Sequence, residues 1–148
     1  MEDKGRSGDD LRRTPTSHRP IARLGCKELG DLGEKLAALY LEERGFEILQ
    51  RNYRCREGEA DLIAFDEAED LIVLVEVKTR RGGVGECFPE EAVDRNKRNR
   101  YRRIASCYLL EHFPVTALRF DVVAIAIESD SSAQIEHIIG AFDWEQGR

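Results

Sequence analysis

An α/β domain with a mixed central sheet of about five strands flanked by helices is the fold class this chain predicts. Two stretches, residues 26–44 and 89–112, repeat apolar side chains at helical spacing. Five others are short, apolar or β-branched, and bounded by glycine or polar turns. Their order is helix, three strands, helix, two strands, which lets helices cover both faces of one sheet.

Residues 1–24 are polar and carry Arg6, Arg12, Arg13, Arg19 and Arg23 without a sustained apolar period, so they read as a disordered arm. Residues 25–145 then form one domain. In the first helix Leu29, Gly33, Leu36, Ala37 and Tyr40 recur at i, i+4, i+7, i+8 and i+11, and Gly45 stops it. A strand over 46–53 follows, with Phe46, Ile48 and Leu49, then a turn over 54–58. Leu62, Ile63, Ala64 and Phe65 mark a second strand over 59–66, and a polar turn over 67–70 leads to the run Leu71, Ile72, Val73, Leu74, Val75. Continuous β-branched and aliphatic character predicts a central strand covered on both faces. The short turn predicts that the two strands pair as an antiparallel hairpin.

A glycine-rich loop over 80–88 contains Gly82, Gly83 and Gly85, and Pro89 suits the first turn of a helix, with Glu90 and Glu91 near its positive end. The stripe of that helix is Tyr101, Ile104, Ala105 and Tyr108, with Lys97 on the same line four residues earlier. Pro114 ends it, and strands follow over 118–127 and 135–141.

With 148 residues, 41% of them hydrophobic and 35% charged, the chain reads as a globular domain able to bury its own core. No apolar run approaches the roughly 20 residues of a membrane helix, and the N-terminus has no apolar signal core. No membrane association and a cytoplasmic location are the expectations. Cys26, Cys55, Cys87 and Cys107 form no Cys-x-x-Cys pair and read as reduced thiols, and His18, His112 and His137 are equally scattered. The net charge of −6 argues mildly against a protein that coats itself in nucleic acid. Its distribution is uneven. Residues 57–70 hold Glu57, Glu59, Asp61, Asp66, Glu67, Glu69 and Asp70 without a base, while residues 95–103 hold Arg95, Lys97, Arg98, Arg100, Arg102 and Arg103 without an acid. Such segregation suits carboxylates that gather a cation beside a basic face that meets phosphates. On charge alone, an acidic hairpin beside a solvated basic helix face is the simpler reading.

The residues that carry chemistry are Asp61 and the triplet Glu76, Val77, Lys78. Side chains at i and i+2 of a strand share a face, so Glu76 and Lys78 project together, and Asp61 approaches them from the neighbouring strand. Two carboxylates at a strand end suit a hard divalent cation, which activates water and stabilises charge growing on a phosphate. An ammonium beside them orients the water or offsets phosphate charge. Charged residues at a strand end are also, commonly, just solvated.

The strings Gly58-Glu59-Ala60-Asp61-Leu62-Ile63-Ala64 and Val73-Leu74-Val75-Glu76-Val77-Lys78-Thr79-Arg80 resemble the YraN-like family of small bacterial proteins. Gly33-Glu34 with Ala37 and Tyr40-Leu41, Asn52-Tyr53-Arg54, and Arg119-Phe120-Asp121-Val122-Val123 extend the resemblance over about residues 28–126. That family is predicted to belong to the restriction-endonuclease-like PD-(D/E)xK nuclease superfamily and is similar to archaeal Holliday-junction resolvases. The resemblance implies a restriction-endonuclease-like core, with Asp61 and Glu76 as motif acids, Lys78 as the motif lysine, and Glu34 as the helix glutamate that completes the metal site. Lys97 corresponds loosely to a polar residue near such sites. Ala60 stands where the family usually has isoleucine, and the superfamily's usual proline before the aspartate is absent. Asp121 matches a family motif and reads as structural, and the arm over 1–24 has no counterpart.

Three readings follow. The first is a Mg²⁺- or Mn²⁺-dependent endonuclease acting on DNA rather than RNA, with branched or structured DNA as substrate. Asp61, Glu76, Lys78 and Glu34 are then catalytic, and Lys97, Arg98 and Arg102 contact nucleic acid. A homodimer would suit a two-fold junction, although no interface is legible. The second is a non-catalytic nucleic-acid-binding module on the same fold, and the third a protein–protein adaptor.

Overall fold

The computed structural model describes residues 20–82, 95–115 and 117–142. Helix α1 (Cys26–Glu43) is followed by strands β1 (Phe46–Cys55), β2 (Gly58–Asp66) and β3 (Leu71–Arg81). Helix α2 (Arg95–Glu111), β4 (Leu118–Ser129) and β5 (Ser132–Phe142) complete the order that the sequence predicts. The five strands form one sheet in sequence order, β1-β2-β3-β4-β5. All neighbours are antiparallel except β3 and β4, which run parallel. The expected β2–β3 hairpin is present.

Alternation sorts the core into two layers. Leu62, Ala64, Val73, Val75, Val123 and Ile125 pack beneath Ala37, Ala38 and Leu41 of α1. Ile63, Leu74 and Phe120 pack beneath Tyr101, Ile104, Ala105 and Tyr108 of α2. The sheet is therefore covered on both sides, and each large aliphatic residue buried this way contributes roughly 1.5–3 kcal/mol. Residues 73–75 of the β3 apolar run are buried, as a central strand requires, and Glu76 beyond them is buried too.

The α2 stripe is buried as its spacing predicts. In α1 the buried line is Gly33, Ala37, Ala38 and Leu41, so the covered face is rotated towards Ala38, and Leu29, Leu36 and Tyr40 flank it. Gly45 closes α1 with φ +87°, donating to the Glu42 carbonyl at 3.2 Å. Gly33 is a close approach, because a Cβ there would overlap the Thr79 side chain of β3.

Two expectations are corrected. Arg80 and Arg81 belong to β3 and not to a loop, because the parallel ladder continues through Arg80↔Ala126 and Arg81↔Ile127. The end of the N-terminal arm is ordered, since Ile21–Arg23 makes a 3₁₀ turn whose Ile21 N–H donates to Asp130 Oδ1 at 2.7 Å and whose side chain packs against the α1 core. The rest of the arm, Gly83, Gly85, Cys87, the Pro89 helix start and residues 143–148 lie outside the described residues. Among the described residues no helix is long and apolar enough to cross a membrane.

A buried charged network ties three strands together on the α1 side. Arg119 donates to both oxygens of Asp121, at 2.8 and 2.9 Å, and its third arm donates to Asp66 Oδ2 at 2.9 Å. His137 Nε2 lies 2.7 Å from Asp121 Oδ2, and the Gly140 N–H donates to Asp121 Oδ1 at 3.0 Å. Asp121 is 1% exposed, and these partners hold its carboxyl below the usual carboxylate range against the opposing effect of its burial. The structural reading of Asp121 is the one this geometry supports.

Candidate functional site

The site lies where β2 and β3 part. Their pairing ends at Leu62↔Val75, after which β2 continues only alongside β1, and β3 only alongside β4. Residues two apart in a regular strand share a face, yet Leu62 packs under α1 and Ala60 under α2. The strand therefore twists at Asp61, and Asn52, which lies between the partners of Leu62 and Ala60 on β1, has φ +52°. Asp61 sits in the opening of this fork. Its Oδ2 accepts a hydrogen bond from the Val77 N–H at 2.8 Å, across the gap that the lost ladder leaves.

Glu76 points to the α2 side and is 6% exposed. Lys78 Nζ lies 3.2 Å from Glu76 Oε1, as the i, i+2 rule requires, and Lys97 Nζ of α2 contacts the same oxygen. Glu76 Oε2 is buried and has no hydrogen-bond partner. A buried carboxylate oxygen left in this way normally has an ion or water to satisfy it. Tyr101 lies beside the acids, and burial followed by the charges of Glu76 and Asp61 pushes its phenol far up, so it stays protonated.

The electrostatics follow from crowding. Burial raises the Asp61 carboxyl above the usual range, the charges of Glu76 and Glu59 add to this, and the Val77 N–H opposes it. Burial also raises Glu34 on α1, followed by the negative charges of Asp61, Asp31 and Glu59. Burial would lower both lysines. Lys97 stays low because the neighbouring Lys78 adds to the burial, whereas Lys78 is lifted by its hydrogen bond to Lys97 and by Glu76.

Asp61, Glu76, Lys78 and Lys97 thus come together, with Glu34 in electrostatic range of Asp61 from the other helix. Among the described residues no three His, Cys, Asp or Glu side chains are gathered closely enough to cage a metal ion. The remaining predicted phosphate contacts are turned partly inward. Arg98 is half-buried with its Nε unpartnered, and Arg102 donates to Asn99 Oδ1 at 2.9 Å and lies over the Phe142 ring. The exposed bases of this helix are Arg95, Arg100 and Arg103, the last paired to Glu57 at 3.2 Å. Arg95 and Arg100 belong to the basic run read from the sequence but are not singled out there as contacts, although their positions off the Lys97–Tyr101 line mark them as solvent-facing. Sequence reasoning missed Glu59 and Tyr101 as neighbours of the acids, and the fork itself.

The sheet between two helices, with acids and lysines at the parting of two antiparallel strands, defines a small α/β protein with a polar centre at the fork. A UPF0102 protein of Nocardia farcinica is 46% identical over 124 residues, spanning 82% of this chain and 95% of its own. One from Rhodococcus opacus is 50% identical over 117 residues, spanning 77% and 95%. Residues 33–125 match the description Uncharacterised protein family UPF0102, and the chain belongs to that family. Among solved structures, a repair endonuclease from Pyrococcus abyssi is similar at 23% identity and a TM-score of 0.39, over 63% of this chain and 37% of that one. SfsA of Pyrococcus furiosus, solved with Ca²⁺, is similar at 14% identity and a TM-score of 0.35, over 77% and 62%. Likeness of this degree says nothing of activity.

Proposed function

We propose that this protein is a divalent-metal-dependent endonuclease that hydrolyses phosphodiester bonds in DNA, acting in the cytoplasm on branched or otherwise structured DNA. The observation that carries the reading is the buried, unpartnered Oε2 of Glu76 beside Asp61 at the fork. Mg²⁺ takes one or two carboxylates and keeps several waters, so this pair fits it without a third donor. Asp61 and Glu76 would hold Mg²⁺ or Mn²⁺, which supplies a water of lowered pKa and offsets charge on the phosphate. Lys78 orients the attacking water and Lys97 positions Glu76 through their shared oxygen. Glu34 adds negative charge to the same centre. Arg98 and Arg102, with the exposed Arg95 and Arg100, meet the DNA backbone, and a homodimer would place two such sites on a two-fold junction.

A second reading, binding without cleavage, is favoured by two features. Two lysine nitrogens already occupy one Glu76 oxygen, and no three-donor cluster occurs among the described residues. Incubating labelled duplex, single-stranded, flap and four-way-junction DNA with Mg²⁺, Mn²⁺ or EDTA separates the readings. Metal-dependent cutting that Lys78→Ala removes supports the nuclease. Binding without cutting supports the second reading, and no affinity even at low salt supports an adaptor.

A further inference from the structure

Outside this site, the hairpin turn between β1 and β2 is laced to α2 by a regular ladder. The Tyr53 hydroxyl donates to Glu111 Oε2 at 2.9 Å, and Arg103 Nε donates to Glu57 Oε2 at 3.2 Å. Between them, two residues along the strand from Tyr53 and four back along the helix from Glu111, stand Cys55 and Cys107. From Tyr53 to Cys55 the strand rises about 6.8 Å and from Glu111 to Cys107 the helix about 6 Å, so these two rungs stay in step, and Glu57 in the turn beyond carries the third. The middle rung is a pair of thiols at one level, and Cys55 lies near enough to add to the burial that raises the Cys107 thiol. Both cysteines are free and half-buried, and Cys55 packs against the α2 core.

We infer that Cys55 and Cys107 form an oxidation site, at which a peroxide converts the two thiols to a disulfide that fastens α2 to the β1–β2 hairpin. One thiol attacks the peroxide O–O bond, giving a sulfenic acid and one water. The second thiol attacks the sulfenic sulfur, the S–S bond forms and a second water leaves. Two thiols and one hydrogen peroxide become one disulfide and two waters, with the thiols supplying both electrons. The flanking Tyr53–Glu111 and Glu57–Arg103 rungs hold the two backbones at one level, which is what a disulfide between the residues they bracket requires. The fastened helix is the one that brings Lys97 to Glu76, and the fastened hairpin carries Asp61. This inference does not depend on the nuclease reading.

The test treats the full reduced chain with equimolar hydrogen peroxide, blocks remaining thiols with an alkylating agent, and maps the digest by mass spectrometry. The expected result is a Cys55–Cys107 cross-linked peptide, two alkylations fewer than in the untreated chain, and reversal by dithiothreitol. Cys26→Ser should leave the cross-link unchanged, and Cys55→Ser or Cys107→Ser should each remove it. Alkylation of both Cys55 and Cys107 after oxidation would overturn the inference, as would their separate capture by Cys26 or Cys87.

Discussion

At Asp61 the proposed metal-holding role and stability pull in opposite directions. Burial and the nearby charges of Glu76 and Glu59 raise its carboxyl, so the folded chain binds this proton more tightly than the unfolded chain does. The favourable contribution is complete below the ordinary carboxylate value and is lost as pH rises through the raised folded value. Above that folded value the ionised side chain costs the metal-free fold stability. An asparagine in its place would remove the charge yet still accept the Val77 N–H. Asp61→Asn is expected to melt, in EDTA, at a temperature equal to or above wild type, while cleavage falls by about 100-fold or more. A thermal melt and a cleavage assay on one preparation check both halves. A variant that cuts normally would remove Asp61 from the site.

Among the elements, β3 is the one whose sequence and structure agree best up to Glu76 and least beyond it. Residues 71–75 announce a central strand by composition alone. Arg80, Arg81 and Gly82 announce a loop by the same criterion, yet the first two are held in the sheet by backbone bonds to β4, which composition does not report. The spacing rule placed Lys78 beside Glu76, but the fork depends on where a ladder ends and on the twist at Asp61, and neither leaves a signature in residue type. In α2 the period of the stripe was readable. The inward turn of Arg98 and Arg102 was not, because long side chains bend towards whatever surrounds them. Gly33 shows the same limit, since only the packed α1–β3 pair reveals that Thr79 leaves no room for a methyl group. Gly33→Ala should therefore destabilise the fold despite the roughly 1 kcal/mol that alanine gains in a helix, because overpacking costs about 1–3 kcal/mol. A lowered urea midpoint would show it, whereas a raised one would mean that β3 yields.

Across the whole molecule, charge is divided between the two faces of the sheet. The α2 side holds Glu76 with its two lysines, and the α1 side holds the network of Asp66, Arg119, Asp121 and His137. The second set is satisfied throughout, so it stabilises. Asp121 has a lowered folded pKa, hence its contribution is present above the ordinary carboxylate value and is lost as pH falls through the folded one. Asp121→Ala, which strands Arg119 and His137, should cost about 3 kcal/mol at neutral pH. The penalty should shrink in acid, and denaturant titrations at several pH values measure it. The first set keeps one carboxylate oxygen, Glu76 Oε2, without a hydrogen-bond partner, and that contrast is what supports the proposed metal site. Calorimetric titration of Mn²⁺ into the full chain, with Asp61→Asn and Glu76→Gln alongside, tests this directly. Binding by wild type that either variant weakens at least about tenfold is the predicted result. Equal affinity in all three, or none in wild type, would contradict the assignment of a metal to the fork.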